Sequence, residues 1–415
     1  MNIGVIADDF TGATDIAGFL VTNGIRTIQT TGIPDERFEA EAEAYVISLK
    51  SRSCPAEEAV HLSLEALHWL RDKGCEQIFF KYCSTFDSTT KGNIGPVTDA
   101  LLDEMGEEFT ILCPALPVNG RTLYRGYLFV GNQLLSESGM QHHPVTPMRD
   151  SNIARLMEQQ SRGKAGNVYV EVLDKGPSAL KRELLSLKEK GIRYAVMDTL
   201  NQGHLDTIGA AVADLPLVTG GSGLAAGIAR NLHKEGEKRS AGEAGRPKKG
   251  ATVIIAGSCS KATNRQVARY REKAPSQFID ALRCRTDAGY LDELYAWTTA
   301  AIEDGATPLL YATKQASELE KPAYASQDVG RAIEELFGKL ASRLLGAGVK
   351  NFIVAGGETA GKVVQSLGLS AFFIGPQIDP GVPWVRAVGQ ELYLALKSGN
   401  FGSDDFFVKA QEFFV

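Results

Sequence analysis

Along most of the chain, short runs rich in Val, Ile and Phe end in a turn containing Gly or Asp and then pass into segments with apolar residues at helical spacing. Parallel strands need crossover connections, so this alternation predicts α/β architecture with mainly parallel sheets. The first unit is the clearest. Asn2 to Ala7 reads as a strand, Asp8 to Gly12 as a turn, and Ala13, Ile16, Ala17, Leu20 and Val21 as the buried face of a helix closed by Asn23-Gly24. Further strands are expected at Ala44–Leu49, Gln77–Tyr82, Phe109–Cys113, Arg193–Asp198 and Leu215–Thr219. The polar residues that follow the first four gather at one sheet edge, outside the carboxyl ends of the strands, where open parallel sheets bind ligands.

With 415 residues, the chain exceeds one ordinary core, and two domains are expected. The stretch Lys234–Gly250 holds no apolar residue larger than Ala and reads as a linker. This gives an N-terminal domain over 1–233 and a C-terminal domain over 251–415, the latter opening with a strand at Ala251–Ala256 and carrying another at Lys350–Ala355. The net charge of −6 argues against a nucleic-acid partner. No apolar stretch approaches the roughly 20 residues that cross a bilayer, and the N-terminal residues lack the pattern of an export signal. The six cysteines form no CxxC pair, so reduced thiols and a cytoplasmic location are expected.

Two turns of the C-terminal block, Gly257-Ser258-Cys259-Ser260 and Gly356-Gly357-Glu358-Thr359, open helices and expose backbone N–H groups to which phosphate binds readily. The second nearly matches a P-loop through Gly356 and Gly361-Lys362, but Val363 stands where the magnesium-binding Ser or Thr belongs. Glu358 reads either as a metal-orienting carboxylate or as a helix-terminal residue; the metal ligands are not assigned. Gly221-Ser222-Gly223-Leu224-Ala225-Ala226 resembles a dinucleotide fingerprint, yet no acidic residue ends a second strand about 20 positions later, so close helix–strand packing or an oxyanion contact is favoured.

In the N-terminal block, Asp8 and Asp9 at a strand end suit sugar hydroxyls, and Asp9 also suits a helix cap. The loop Lys81–Asn93 concentrates cations, hydroxyls and Asp87 directly after a strand. With Lys50, Arg52 and Arg121 it offers more positive charge than a neutral sugar requires, as a carboxylate ligand would need. His142 and His143 precede an irregular segment and read as structural or exposed rather than catalytic.

The segments ADDFTGATD, KYCSTFDSTTKGNIGPVTDALLD, CPALPVNGRT, HPVTPMRDSN, VTGGSGLA, AGSCS, AGGETAGKVV, GPQIDPGVPW and LKSGNFG follow one another in an order that resembles the four-carbon acid sugar kinases over essentially the whole chain. The resemblance implies a substrate-binding N-terminal domain, a nucleotide-binding C-terminal domain, and a site in the cleft between them. It implies ATP with Mg2+, held by Ser258, Gly356, Gly357, Glu358, Thr359 and the turn Gly399-Asn400-Phe401-Gly402. The substrate would meet residues among Asp8, Asp9, Arg52, Lys81, Asp87, Ser88 and Arg121. Lys91 departs from the Arg that many members carry in this loop. The expected reaction is phosphorylation of a C4 hydroxyl, with Asp8 or Asp9 as base and 3-oxo-tetronate preferred to D-threonate or D-erythronate. An NAD-dependent sugar-acid dehydrogenase is the alternative from another class. The sequence leaves open whether the chain forms a homo-oligomer.

Overall fold

The computed structural model describes residues 2–35, 37–142, 146–232, 241–312 and 327–415, with side chains in the last range from Gly330 onward. The chain divides into two compact units that meet at Ala241/Gly242.

The first unit carries β1 (Asn2–Ala7), β2 (Thr27–Thr31), β3 (Ala44–Ser48), β4 (Cys75–Lys81), β5 (Thr110–Cys113), β6 (Arg121–Tyr124), β7 (Tyr127–Val130), β8 (Gln133–Leu134), β9 (Lys164–Val168), β10 (Ile192–Met197) and β11 (Leu217–Gly220). Its main sheet runs β2-β3-β1-β4-β11-β5-β10-β9 with parallel neighbours, and β6-β7-β8 form a small antiparallel sheet. The residues of β3, β5 and β11 are buried throughout, as expected where helices cover both faces of a parallel sheet.

The expected strands are present with ends displaced by one or two residues; β4, for example, ends at Lys81 rather than Tyr82. The helix Phe10–Thr22 buries Ala13, Ile16, Ala17, Leu20 and Val21, and Asn23 caps it. Thr-rich β2 gave no apolar signal, because four of the five residues of its sequence TIQTT are polar even though its first four are buried.

The chain leaves β1 toward β2 on one side of the sheet and leaves β4 toward β5 on the other. Adjacent strands whose connections diverge in this way open a crevice at their carboxyl ends.

The second unit repeats the device with β12 (Thr252–Ala256), β13 (Ser276–Phe278), β14 (Leu309–Tyr311), β15 (Asn351–Ala355), β16 (Ala371–Asp379), β17 (Val382–Ala387) and β18 (Tyr393–Lys397). The order is β13-β14-β12-β15-β18-β17-β16, parallel as far as β18 and antiparallel from β18 to β16. Here β12 and β15 are the adjacent strands whose connections diverge.

The Phe-rich tail forms a short helix, Phe406–Gln411, that sets Phe406 and Phe407 into the core beside Trp384. Trp384 Nε1 donates to Ala410 O at 2.9 Å, so the largest buried aromatic has its polar atom satisfied.

Residues 234–240 of the expected linker lie outside the described residues. Residues 242–250 belong to the second unit: Gly245 packs against Gly375 so closely that an added Cβ would stand 2.3 Å from its backbone nitrogen, and Lys249 N–H donates to Val415 O at 3.0 Å. Small residues there serve close packing. No helix among the described residues is long and apolar enough to cross a membrane.

Candidate active site

In the first unit the chain leaves β1 into Asp8 and Asp9. Asp8 is 6% exposed and its backbone is fixed on two sides. Its N–H donates to Lys81 O at 3.1 Å, and its carbonyl accepts from Ser51 N–H at 3.0 Å and Arg52 N–H at 3.2 Å. Arg52 grips the Asp8 carboxylate bidentately, with Nε at 2.9 Å and Nη2 at 2.7 Å, and Nη2 also reaches Asp9 Oδ1 at 2.8 Å. Burial lifts the Asp8 carboxyl above its ordinary range, while Arg52 and Lys81 oppose the lift. Asp9 Oδ1 accepts from Gly12 N–H at 2.8 Å, so Asp9 caps the helix Phe10–Thr22 as foreseen.

Lys81 is the last residue of β4 and is 4% exposed. Its ammonium lies against Gly12: an added Cβ would stand 2.0 Å from Nζ and 2.4 Å from Asp9 Oδ1, so a side chain at position 12 would collide with both. Among the described residues no hydrogen bond or ion pair satisfies Nζ; its charge is felt by Asp8 and by Asp15. Asp15, lifted by burial, accepts a hydrogen bond from the Ser222 hydroxyl. Ser222 thus brings the GSG turn to the same crevice. The glycines beside it serve close packing, since a Cβ at Gly221 or Gly227 would stand 2.6 Å from Pro114 O or 2.1 Å from Leu205 O.

The other residues expected to meet substrate are placed unevenly. Asp87 is half-buried and accepts from Thr85 Oγ1 at 2.7 Å, after Phe86, whose φ of +50° stores local strain. Ser88 is fully buried and its hydroxyl donates to Gln160 Oε1 at 2.7 Å, which ties the loop to the segment that carries Gln160. Arg121 donates to Asn119 O from Nη1, its Nε is buried without a partner, and no contact links it to the Asp8 cluster among the described residues. Lys50 and Lys91 are exposed. Burial pushes the Cys83 thiol up to about 11, in keeping with an unreactive thiol. His142 ends a short 3-10 turn; His143 lies outside the described residues.

Composition gave no sign of Asn93, whose Nδ2 donates to the carbonyls of Ser51, Arg52 and Cys54 at 2.6, 3.3 and 2.9 Å and so fixes the loop that presents Arg52.

In the second unit, the turns after β12 and β15 share one cavity of about 420 Å³ lined by Gly257, Ser258, Gly356, Gly357, Glu358 and Thr359. Gly356 has a φ of +123°, which side-chain-bearing residues rarely adopt, and its N–H donates to Lys397 O at 2.9 Å. Ser260 caps the helix Lys261–Arg271, accepting from Thr263 N–H at 3.1 Å. Gly399 packs on this turn, where an added Cβ would stand 2.4 Å from Ser258 Oγ. Gln266 Nε2 donates to Phe401 O, Gly402 O and Ser403 O at 3.1, 3.0 and 2.9 Å, holding the 399–402 turn in place. Asn400 is exposed.

A P-loop is absent from the 356–363 turn. Lys362 lies within the helix Gly357–Ser366 and pairs with Glu335 at 2.5 Å, and Val363 faces the core. Sequence reasoning missed the apolar wall of the cavity, made by Ile279, Ala281, Ala312 and Ile333, and missed Glu334. Burial and the neighbouring Glu358 lift the Glu334 carboxyl above its ordinary range.

The comparisons with known proteins agree with this division. Residues 3–228 match the family model described as the sugar-binding N-terminal domain, and residues 253–407 match the nucleotide-binding C-terminal domain. A curated protein of Brucella melitensis, named 3-oxo-tetronate kinase, is 57% identical over 99% of this chain and 95% of its own. One of the same name from Escherichia coli K12 is 54% identical over 92% of this chain and 99% of its own. The crystal structure of Haemophilus influenzae protein HI1011 is 52% identical, covers 99% of this chain and all of its own, and superposes with a TM-score of 0.93.

Proposed function

The chain belongs to the family that joins a sugar-binding N-terminal domain to a nucleotide-binding C-terminal domain, and on that premise we propose that it is an ATP-dependent kinase that phosphorylates the C4 hydroxyl of 3-oxo-tetronate. The geometric observation that carries this reading is the Lys81 ammonium, unpaired among the described residues, beside the partly exposed Asp9 carboxylate, which offers a cation for an acid substrate and a base for its hydroxyl. The relatives' shared name supplies the choice of a ketone over a hydroxyl at C3.

Asp9 is the base in this reading. Both described contacts of its carboxylate fall on Oδ1, leaving Oδ2 for the substrate, whereas both oxygens of Asp8 are engaged by Arg52. Asp8 therefore holds Arg52, and Arg52 orients Asp9. The C4 oxygen attacks the γ-phosphorus, its proton passes to Asp9 Oδ2, and the bond from the γ-phosphorus to the bridging oxygen breaks to release ADP. A positioned base contributes about 10²–10⁴-fold, and alignment with charge neutralisation supplies much of the rest.

The turns at Ser258 and Gly357–Thr359 take the phosphates on backbone N–H groups, and the apolar wall of the cavity suits the base. Glu334 and Glu358 form the oxygen-rich pair that Mg2+ arriving with the phosphates would use, and the ion would neutralise charge on them. All six cysteines are free, which supports work in a reducing cytoplasm.

Phosphorus NMR of the product tests the reading. The expected result is one new phosphomonoester resonance coupled to the C4 protons; a phosphoryl group on any other oxygen, or none, contradicts it.

A further inference from the structure

Lys397, the last residue of β18, is 1% exposed, yet its ammonium has no carboxylate partner among the described residues. Its Nζ lies 2.9 Å from Thr263 Oγ1, 3.2 Å from Ser398 O and 3.1 Å from Gly399 O. The two carbonyls can only accept, and the Thr263 hydroxyl gives its one proton to Gly399 O at 2.8 Å. Three acceptors therefore face the three N–H bonds of a charged lysine. Burial alone pulls the amine down to about 8. A buried charge without a counter-ion is costly, and its retention requires an explanation.

Its place in the fold supplies one. Gly399 O also accepts from Ser260 Oγ at 2.5 Å, and the Gly399 backbone packs on Ser258 Oγ. The Lys397 carbonyl itself accepts from Gly356 N–H. The ammonium thus lies beneath the point where the turns after β12, β15 and β18 converge, and each of those turns borders or braces the phosphate-friendly cavity.

We propose that Lys397 is a positioning residue for the nucleotide, a buried cation whose missing counter-charge is the polyphosphate. It touches no phosphate; it acts by Coulomb attraction through the Gly399 turn and by holding that turn against Ser258. The inference rests on the nucleotide reading of the second unit.

The test compares calorimetric Kd values for ATP, ADP, AMP and adenosine in the wild type, Lys397→Gln and Lys397→Met, with thermal melts to check folding. Gln keeps two N–H donors for the two carbonyls while it removes the charge, so it decides the matter if Met fails to fold. The expected result for Lys397→Gln is a loss graded by ligand charge, roughly tenfold or more for ATP, less for ADP, least for AMP, and under twofold for adenosine. Wild-type affinity for ATP in Lys397→Gln, or an equal loss for all four ligands, overturns the inference in favour of a packing role. A wild-type protein that binds none of the four removes the nucleotide reading and this inference with it.

Discussion

Asp8 and Asp9 are adjacent and chemically identical, yet their surroundings assign them different work. In Asp9→Asn the side-chain oxygen still caps the helix through Gly12 N–H, so kcat is expected to fall by about 10²–10⁴ with little change in Tm. A near-normal kcat removes Asp9 as the base. Asp8→Asn instead strips Arg52 of its bidentate partner in a half-buried place, and a loss on the order of 2 kcal/mol in stability is expected, between the exposed and fully buried cases. Chemical denaturation measures it. Gly12→Ala forces a methyl group onto Lys81 Nζ and Asp9 Oδ1; KM for the acid should rise at least tenfold, and an unchanged KM would show that Lys81 does not hold the substrate. Asp8, Asp9, Arg52 and Lys81 were legible in the sequence because charge at the end of an apolar run has few other uses. The Ser88 hydroxyl's bond to Gln160 was not legible, because a hydroxyl in a polar loop looks the same whether it faces a ligand or another side chain. Lys397 was passed over because the strand that it ends, Tyr393–Lys397, was not among those read from the sequence.

Elements bring these residues together through contacts that local spacing does not encode. The Asp15–Ser222 contact joins positions 207 apart, and the apolar wall of the second cavity is assembled from separate segments. Among the strands that escaped reading, β2 had a polar sequence whose buried Gln29 and threonines carry no apolar signal, whereas β14 and β18 are apolar but only three and five residues long. The 399–402 turn has its own anchor: Asp379, at the end of β16, accepts from Ser403 N–H at 2.8 Å and Ser403 Oγ at 2.7 Å and pairs with Lys409. Burial raises the Asp379 carboxyl, but Lys409 and Ser403 outweigh burial and hold it below its ordinary value. Its stabilisation is therefore present above the unfolded carboxylate value and is lost as pH falls through the lowered one. Asp379→Asn should melt below the wild type at pH 7, and the gap should close as pH falls below about 4. A gap constant with pH would assign Asp379 a packing role alone.

At the scale of the whole molecule, the same solution occurs twice: a parallel sheet with diverging connections and a crevice at its strand ends, one lined by acids and cations and the other by glycine turns. The described contacts that shape the first site lie within residues 8–222, and those that shape the second within 257–409. Lys81→Met should therefore weaken acid binding at least tenfold while leaving the Kd for ATP within twofold, and Ser258→Ala should do the reverse. Loss of both affinities in either variant would contradict the separation. The two-unit α/β organisation was readable from alternation and length, whereas the residues of 242–250 that looked like linker serve close packing in the second unit. ADP release, measured with MgATP against 3-oxo-tetronate, D-threonate and D-erythronate, tests the kinase assignment most directly. Saturable release that is fastest with 3-oxo-tetronate is expected, and release confined to D-threonate or D-erythronate, or absent with all three, would contradict the assignment.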